Sequence, residues 1–160
     1  MTAFRVGHGY DVHALVKDRP LILAGLRIEH PKGLMGHSDA DVLIHALCDA
    51  LLGAAALGDL GSHFPDNDPA YKNINSRNLL RETRKMVLQA GYRVVNIDTT
   101  LVMQQPKIQP YISEMRKNLS HDLQIDFNQI SVKATTTEGL GFAGKEEGIA
   151  AHAVVLIEKL

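Results

Sequence analysis

The chain has one cysteine, Cys48, and no tryptophan. A lone thiol excludes an intrachain disulfide framework and any cysteine-built zinc module. Cys48 falls inside an apolar run and reads as a small buried residue. The net charge of −1 lacks the basic excess of a general nucleic-acid or membrane-surface binder, so any phosphate site must be local. No apolar stretch is long and pure enough to span a bilayer. The opening residues MTAFRVGHGY lack the features of signal and transit peptides, and a cytoplasmic location is the expectation. Repeats, low-complexity tracts and linkers are also missing.

What is present is an ordinary globular composition, 45% hydrophobic and 22% charged over 160 residues, which points to one domain over residues 1–160. The most distinctive stretch is Gly36–Asp59, GHSDADVLIHALCDALLGAAALGD. Its apolar spacing predicts a buried helix begun by the polar stretch His37-Ser38-Asp39-Ala40-Asp41 and ended by Gly58. Strands are expected at Phe4–Leu15, Tyr92–Gln104, Gln129–Ala134 and Ile149–Ile157, with a hairpin or bulged strand around Gly25. Pro31–Gly36 and the Pro- and Asp-rich stretch from Leu60 to Pro69 read as loops. Further helices are expected at Arg77–Ala90, capped by Ser76, and at Ile108–Leu123. The pattern predicts an α+β fold, a mixed β-sheet with helices packed on one face. Apolar residues on both faces of the long strands suggest an oligomer.

Asp11 and His13 lie two apart on a strand and leave the same face. With His45 they would make a two-imidazole, one-carboxylate set suited to Zn²⁺ with an open fourth position. Asp41 or Asp49, one turn either side of His45, would then hold its second ring nitrogen. The plainer reading is a surface His13 and a hydrogen-bonded core His45. His37-Ser38 at a helix start would suit an anion, or simply cap the helix. Thr135-Thr136-Thr137-Glu138 would cradle a phosphate with Glu138 on Mg²⁺, or form a capping box. The loop Asp59-Leu60-Gly61 with Phe64–Asp68 would accept hydroxyl groups, or form Asx turns. Met103–Lys107 reads as a strand-to-helix turn whose backbone could read a base.

Together, GHGYDVH (Gly7–His13), HSDADVLIHAL and DALLGAAALGDLG around Cys48 (His37–Gly61), FPDNDP (Phe64–Pro69) and VKATTTEGLGF (Val132–Phe142) strongly resemble the 2-C-methyl-D-erythritol 2,4-cyclodiphosphate synthases of non-mevalonate isoprenoid biosynthesis. The resemblance covers essentially the whole chain. It implies a homotrimer with active sites between subunits, and a lyase that releases CMP from 4-diphosphocytidyl-2-C-methyl-D-erythritol 2-phosphate. In that reaction the substrate's own 2-phosphate attacks its β-phosphorus, so positioning and charge neutralisation are the main demands.

The same resemblance implies Zn²⁺ on Asp11, His13 and His45, with Val12 between them in the substrate site. It implies Mg²⁺ or Mn²⁺ on Glu138, bridging the substrate diphosphate. His37 and Thr136 would stabilise the transition state, Ser38 would bind phosphate, and Asp59, Leu60 and Gly61 would meet ribose. Phe64, Pro65, Asp66, Asn67 and Asp68 would cover the methylerythritol. Met103, Gln104, Gln105, Pro106, Lys107, Ile108 and Gln109, with Thr135 and Thr137, would form the cytidine diphosphate pocket of a neighbouring subunit, near Phe142 and Lys145. Members often carry Arg where this chain has Lys145, which keeps the charge without the planar fork and weakens any expectation of an anion at a trimer axis. A zinc phosphohydrolase and a non-catalytic trimeric CDP-binding module are the competing readings. No nucleic-acid or membrane partner is expected.

Overall fold

The computed structural model describes residues 3–160. Strand β1 (Phe4–Lys17) pairs antiparallel with the closing strand β7 (Gly148–Lys159), placing His13 opposite Ile149 and Asp11 opposite Ala151. On its other side β7 pairs antiparallel with β5 (Tyr92–Val102), and β5 runs parallel to β6 (Ile130–Thr135). A short strand β4 (Lys32–Leu34) borders β1, completing a mixed five-stranded sheet of order β4-β1-β7-β5-β6. Strands β2 (Leu21–Leu23) and β3 (Leu26–Ile28) form a separate hairpin, turned by Ala24 and Gly25. Both turn residues have positive φ, 50° and 71°, as a hairpin with right-handed strand twist requires.

Helix α1 (Val42–Ala54) lies against β1 and β7, buried along almost its whole length. Helices α3 (Ser76–Gln89) and α4 (Ile112–Leu123) continue the layer over β5 and β6. They are joined through Asp122, whose fully buried carboxylate accepts from Arg77 at 2.7 and 3.0 Å and from Arg81 at 2.7 Å. The expected α+β layering is present. The sheet's other face is open in the single chain, where Val6, Tyr10, Val12 and Val154 are all exposed.

Several boundaries differ from those expected. Pairing of Leu34 with Leu15 turns part of the 31–36 loop into β4. Helix α1 starts at Val42, not His37, because the buried Asp41 caps it, accepting from the Ile44 amide at 3.1 Å. The same carboxylate accepts from the Ala24 and Gly25 amides at 3.1 and 2.7 Å, tying the hairpin turn to the helix start. The Leu60–Pro69 loop contains a short helix, α2 (Leu60–His63), capped by Asp59. Asn75, not Ser76, caps α3, and a 3-10 turn (Gln109–Tyr111) precedes α4. Cys48 is fully buried, and burial pushes its thiol up to about 12.

Candidate active site

Along β1, Gly7, Gly9, Asp11 and His13 share the face toward α1, following the two-residue period of a strand. The glycines bring helix and strand together, and His45 of α1 then meets Asp11 and His13. Asp11 Oδ2 lies 2.9 Å from His13 Nε2 and 3.1 Å from His45 Nδ1, and the two ring nitrogens are 3.2 Å apart. Zn²⁺ holds nitrogen and oxygen ligands at about 2.0–2.2 Å, so a tetrahedral set spaces its donor atoms by roughly 3.3 Å. Three donors already converged to nearly that spacing, on half-buried side chains, form a metal-binding group that fits a divalent ion. The imidazole of His13 is aimed from behind, its Nδ1 2.8 Å from the Met35 carbonyl. That bond places the proton on Nδ1 and leaves Nε2 free for a metal.

Burial alone would raise the Asp11 carboxyl, but hydrogen bonds and positive charge from His13 and His45 outweigh it and hold it at about 2. Burial disfavours a charged His13, and the Asp11 carboxylate overcomes this, raising the imidazole above its ordinary value. Asp49 is shifted upward, first by burial and then by the carboxylates of Asp59 and Asp11. The group stands in a cleft of about 260 Å³ whose walls include His37, Ser38, Asp49, Leu60, Gly61, Phe64 and Asp66.

A family model described as the YgbB family matches residues 4–158. The chain belongs to the YgbB family. A curated relative from Syntrophomonas wolfei, 2-C-methyl-D-erythritol 2,4-cyclodiphosphate synthase, is 61% identical over 155 residues, covering 97% of this chain and 99% of its own. The Plasmodium falciparum IspF CDP complex superposes with a TM-score of 0.86 at 33% identity, covering 99% of this chain and 98% of that one. The bifunctional IspDF from Campylobacter jejuni gives a TM-score of 0.95 at 44% identity; the match covers 98% of this chain but only 42% of that longer one.

In this member of the YgbB family the expected site residues fall into two groups. Beside the metal-binding group, His37 Nε2 lies 3.3 Å from the Asp68 carbonyl oxygen, and Asp68 caps the turn that follows. Phe64 packs edge-on against Tyr71, while Pro65 and Asn67 are exposed on the same loop. Asp59 accepts from the Ser62 amide at 2.9 Å, which holds its carboxyl below the usual range. Val12 points to the opposite, open face.

The second group lies across the sheet. Met103, whose amide donates to the Thr135 carbonyl, leads into Gln104–Gln109 beyond β5, and the Thr135–Glu138 turn leaves β6. The Thr136 hydroxyl accepts from the Glu138 amide at 3.3 Å, and Thr135 donates to the Thr136 carbonyl, so the expected Thr135–Glu138 capping box does not form. Gln104 accepts from the Gly139 amide at 3.4 Å, joining the two turns, and Glu138, Phe142 and Lys145 are exposed nearby in the chain. None of these residues lines the metal cleft. Strand β7 separates β1 from β5, with β6 beyond, so the groups leave the sheet roughly 10–15 Å apart at about 4.8 Å per strand.

Two expectations are corrected. His37-Ser38 do not begin a helix; they form a bend ahead of Asp41, whose carboxylate caps α1 by accepting from the Ile44 amide. Neither Asp41 nor Asp49 holds the second nitrogen of His45, because Asp41 is committed to its three amides and Asp49 accepts from the Leu60 amide at 2.7 Å. Ser38 and Ser76 stand there instead, at 3.1 and 3.0 Å. Arg19, unremarked in the sequence, donates to the Gly36 and Ser38 carbonyls at 3.3 and 3.0 Å and so braces the bend around His37.

Proposed function

We propose that this chain, as one domain over residues 1–160, catalyses in the cytoplasm the reaction for which its relatives are named. It converts 4-diphosphocytidyl-2-C-methyl-D-erythritol 2-phosphate to 2-C-methyl-D-erythritol 2,4-cyclodiphosphate and CMP, as a phosphorus–oxygen lyase of isoprenoid precursor synthesis. The observation that carries this reading is the convergence of Asp11, His13 and His45 in a cleft, on a chain that matches the family along nearly its whole length.

An oxygen of the 2-phosphate forms a bond to the β-phosphorus while the bond from β-phosphorus to the α,β-bridging oxygen breaks, and that oxygen departs with CMP. Both partners belong to one molecule, so no protein nucleophile is needed and orientation does most of the work. Asp11, His13 and His45 hold Zn²⁺, which when bound supplies a Lewis acid for a phosphate oxygen. Glu138 would hold Mg²⁺ or Mn²⁺, which would neutralise charge on the diphosphate. His37 and Thr136 donate to the charge that grows on the transferring group. Ser38 contacts phosphate, Asp59 and Gly61 the ribose, and the Phe64–Asp68 loop shields the polyol from water. Met103–Gln109 and Thr135 take the cytidine diphosphate portion.

Within one chain the Met103/Thr135 region leaves the sheet two to three strands from the metal group, and none of its residues lines the metal cleft. A homotrimer joins one subunit's metal half to its neighbour's nucleotide half, and the exposed Val6, Tyr10, Val12 and Val154 supply an apolar face for that assembly. Phosphorus NMR of substrate with purified protein tests the reaction. Cyclic diphosphate and CMP should rise together and depend on divalent metal, whereas methylerythritol bisphosphate as the main product, from attack by water, overturns the reading.

A further inference from the structure

Ser76 is fully buried at the start of α3, with its hydroxyl between two groups. On one side it makes a short hydrogen bond to Asp39 Oδ1; on the other it lies 3.0 Å from His45 Nε2. Asp39 also receives the Ser76 amide on Oδ2 at 3.0 Å and the Asp41 amide on Oδ1 at 3.2 Å. Surrounded by three donors, the Asp39 carboxylate acts as an acceptor and takes the single hydroxyl proton of Ser76. The Ser76 oxygen then has only lone pairs left for His45, so the proton between them sits on Nε2. Ser38 Oγ, 3.1 Å from the same nitrogen, accepts from the Ala40 amide and offers a second acceptor there.

We infer that Asp39 and Ser76 form a relay that keeps a proton on His45 Nε2 and so turns Nδ1 toward Asp11 and the metal. The inference rests on the reading of Asp11, His13 and His45 as the metal group. An imidazole bound to a metal through one nitrogen generally donates from the other, and loss of that outer partner typically weakens metal binding about 10–100-fold. The relay spans three separate segments: the bend before α1, α1 itself and the first residue of α3. It makes Ser76 and Asp39 positioning residues, since neither reaches the metal or the substrate.

The test uses the full chain without added substrate. Zn²⁺ affinity, by competition with a chelator, should fall about 10–100-fold in Ser76→Ala and largely recover in Ser76→Thr, which keeps the hydroxyl. Long-range proton–nitrogen NMR of the metal-free protein should show His45 protonated on Nε2, and partial loss of that proton in Ser76→Ala. A purely structural role, anchoring the start of α3, would lower the melting temperature and leave the Nε2 proton and affinity unmoved; that result overturns the relay. Finding His45 Nε2 without a proton in the unaltered metal-free chain overturns it too, whether or not the variants fold. Failure of the unaltered chain to bind Zn²⁺ would strike the metal reading instead, and the nitrogen spectrum would still decide the relay.

Discussion

Gly9 lies so close beneath Ala46 that a Cβ placed on it would stand 1.8 Å from the Ala46 carbonyl oxygen. Gly7 meets Ala50 in the same way, at 1.9 Å. Strand β1 and helix α1 therefore touch backbone to backbone over one turn, and this contact sets the distance from Asp11 to His45. Gly9→Ala should push the helix outward, costing about 1–3 kcal/mol or more as an overpacked core does, and should weaken Zn²⁺ binding as the ligand triangle opens. Gly53→Ala, on the same helix with nothing within 4 Å of the added methyl, should be neutral or stabilise by about 0.5–1 kcal/mol. Urea denaturation and metal titration of the two variants give the comparison.

Asp122 joins α3 to α4 through two arginines while itself fully buried. Removing the carboxylate leaves Arg77, less than a quarter exposed, without its counter-charge. Asp122→Ala should cost about 3–5 kcal/mol, the usual penalty for breaking a buried ion pair from one side. The loss should appear in the urea midpoint. Metal affinity of the protein that remains folded should change little.

Burial and the neighbouring Asp39 carboxylate push Asp41 up to about 6, against the pull of the Gly25 and Ile44 amides and of His45. The folded state thus holds a proton on this group more tightly than the unfolded chain, whose ordinary value is 3.8. Its contribution to stability is fully present below about pH 4 and is lost as pH rises through about 6. Asp41→Asn cannot ionise. The difference in melting temperature between Asp41→Asn and the unaltered protein should therefore move in the variant's favour from pH 4 to pH 7, read by thermal scans in chelator.

The proposed sharing of the site between subunits predicts that activity can be rebuilt from two dead proteins. His45→Ala breaks the metal half and Thr136→Ala the nucleotide half, and each alone should release CMP slowly or not at all. Co-assembled in equal amounts, they should recover roughly a quarter of full activity, because about one interface in four pairs two intact halves. Mixed trimers with no recovery would place the whole site within one subunit.

Treatment with a strong chelator should abolish CMP release, and Zn²⁺ together with Mg²⁺ should restore it. His13→Ala should resist that restoration, because only two of the three donors remain.

Much of the site was legible because strand and helix periods are local. Two residues along a strand return to the same face, so spacing alone pairs Asp11 with His13, and polar His45 in an apolar helix needs a partner. Family motifs located the Thr135–Glu138 and Asp59–Asp68 segments. The start of α1 is not legible locally, because Ser38, Asp39 and Asp41 all suit a cap and only the Ala24 and Gly25 amides across the fold select Asp41.

The α+β layering, the buried helix and the residue types able to hold metal and phosphate all follow from local periodicity, turn chemistry or motif. What stands behind the ligands follows only from the folding of distant segments together. Met35 behind His13, Ser76 and Asp39 behind His45, and Arg19 around the His37 bend are 17 to 37 residues from at least one partner. Such partners have no periodic signature, because a hydrogen bond needs two atoms about 3 Å apart and imposes no rule on the chain between them.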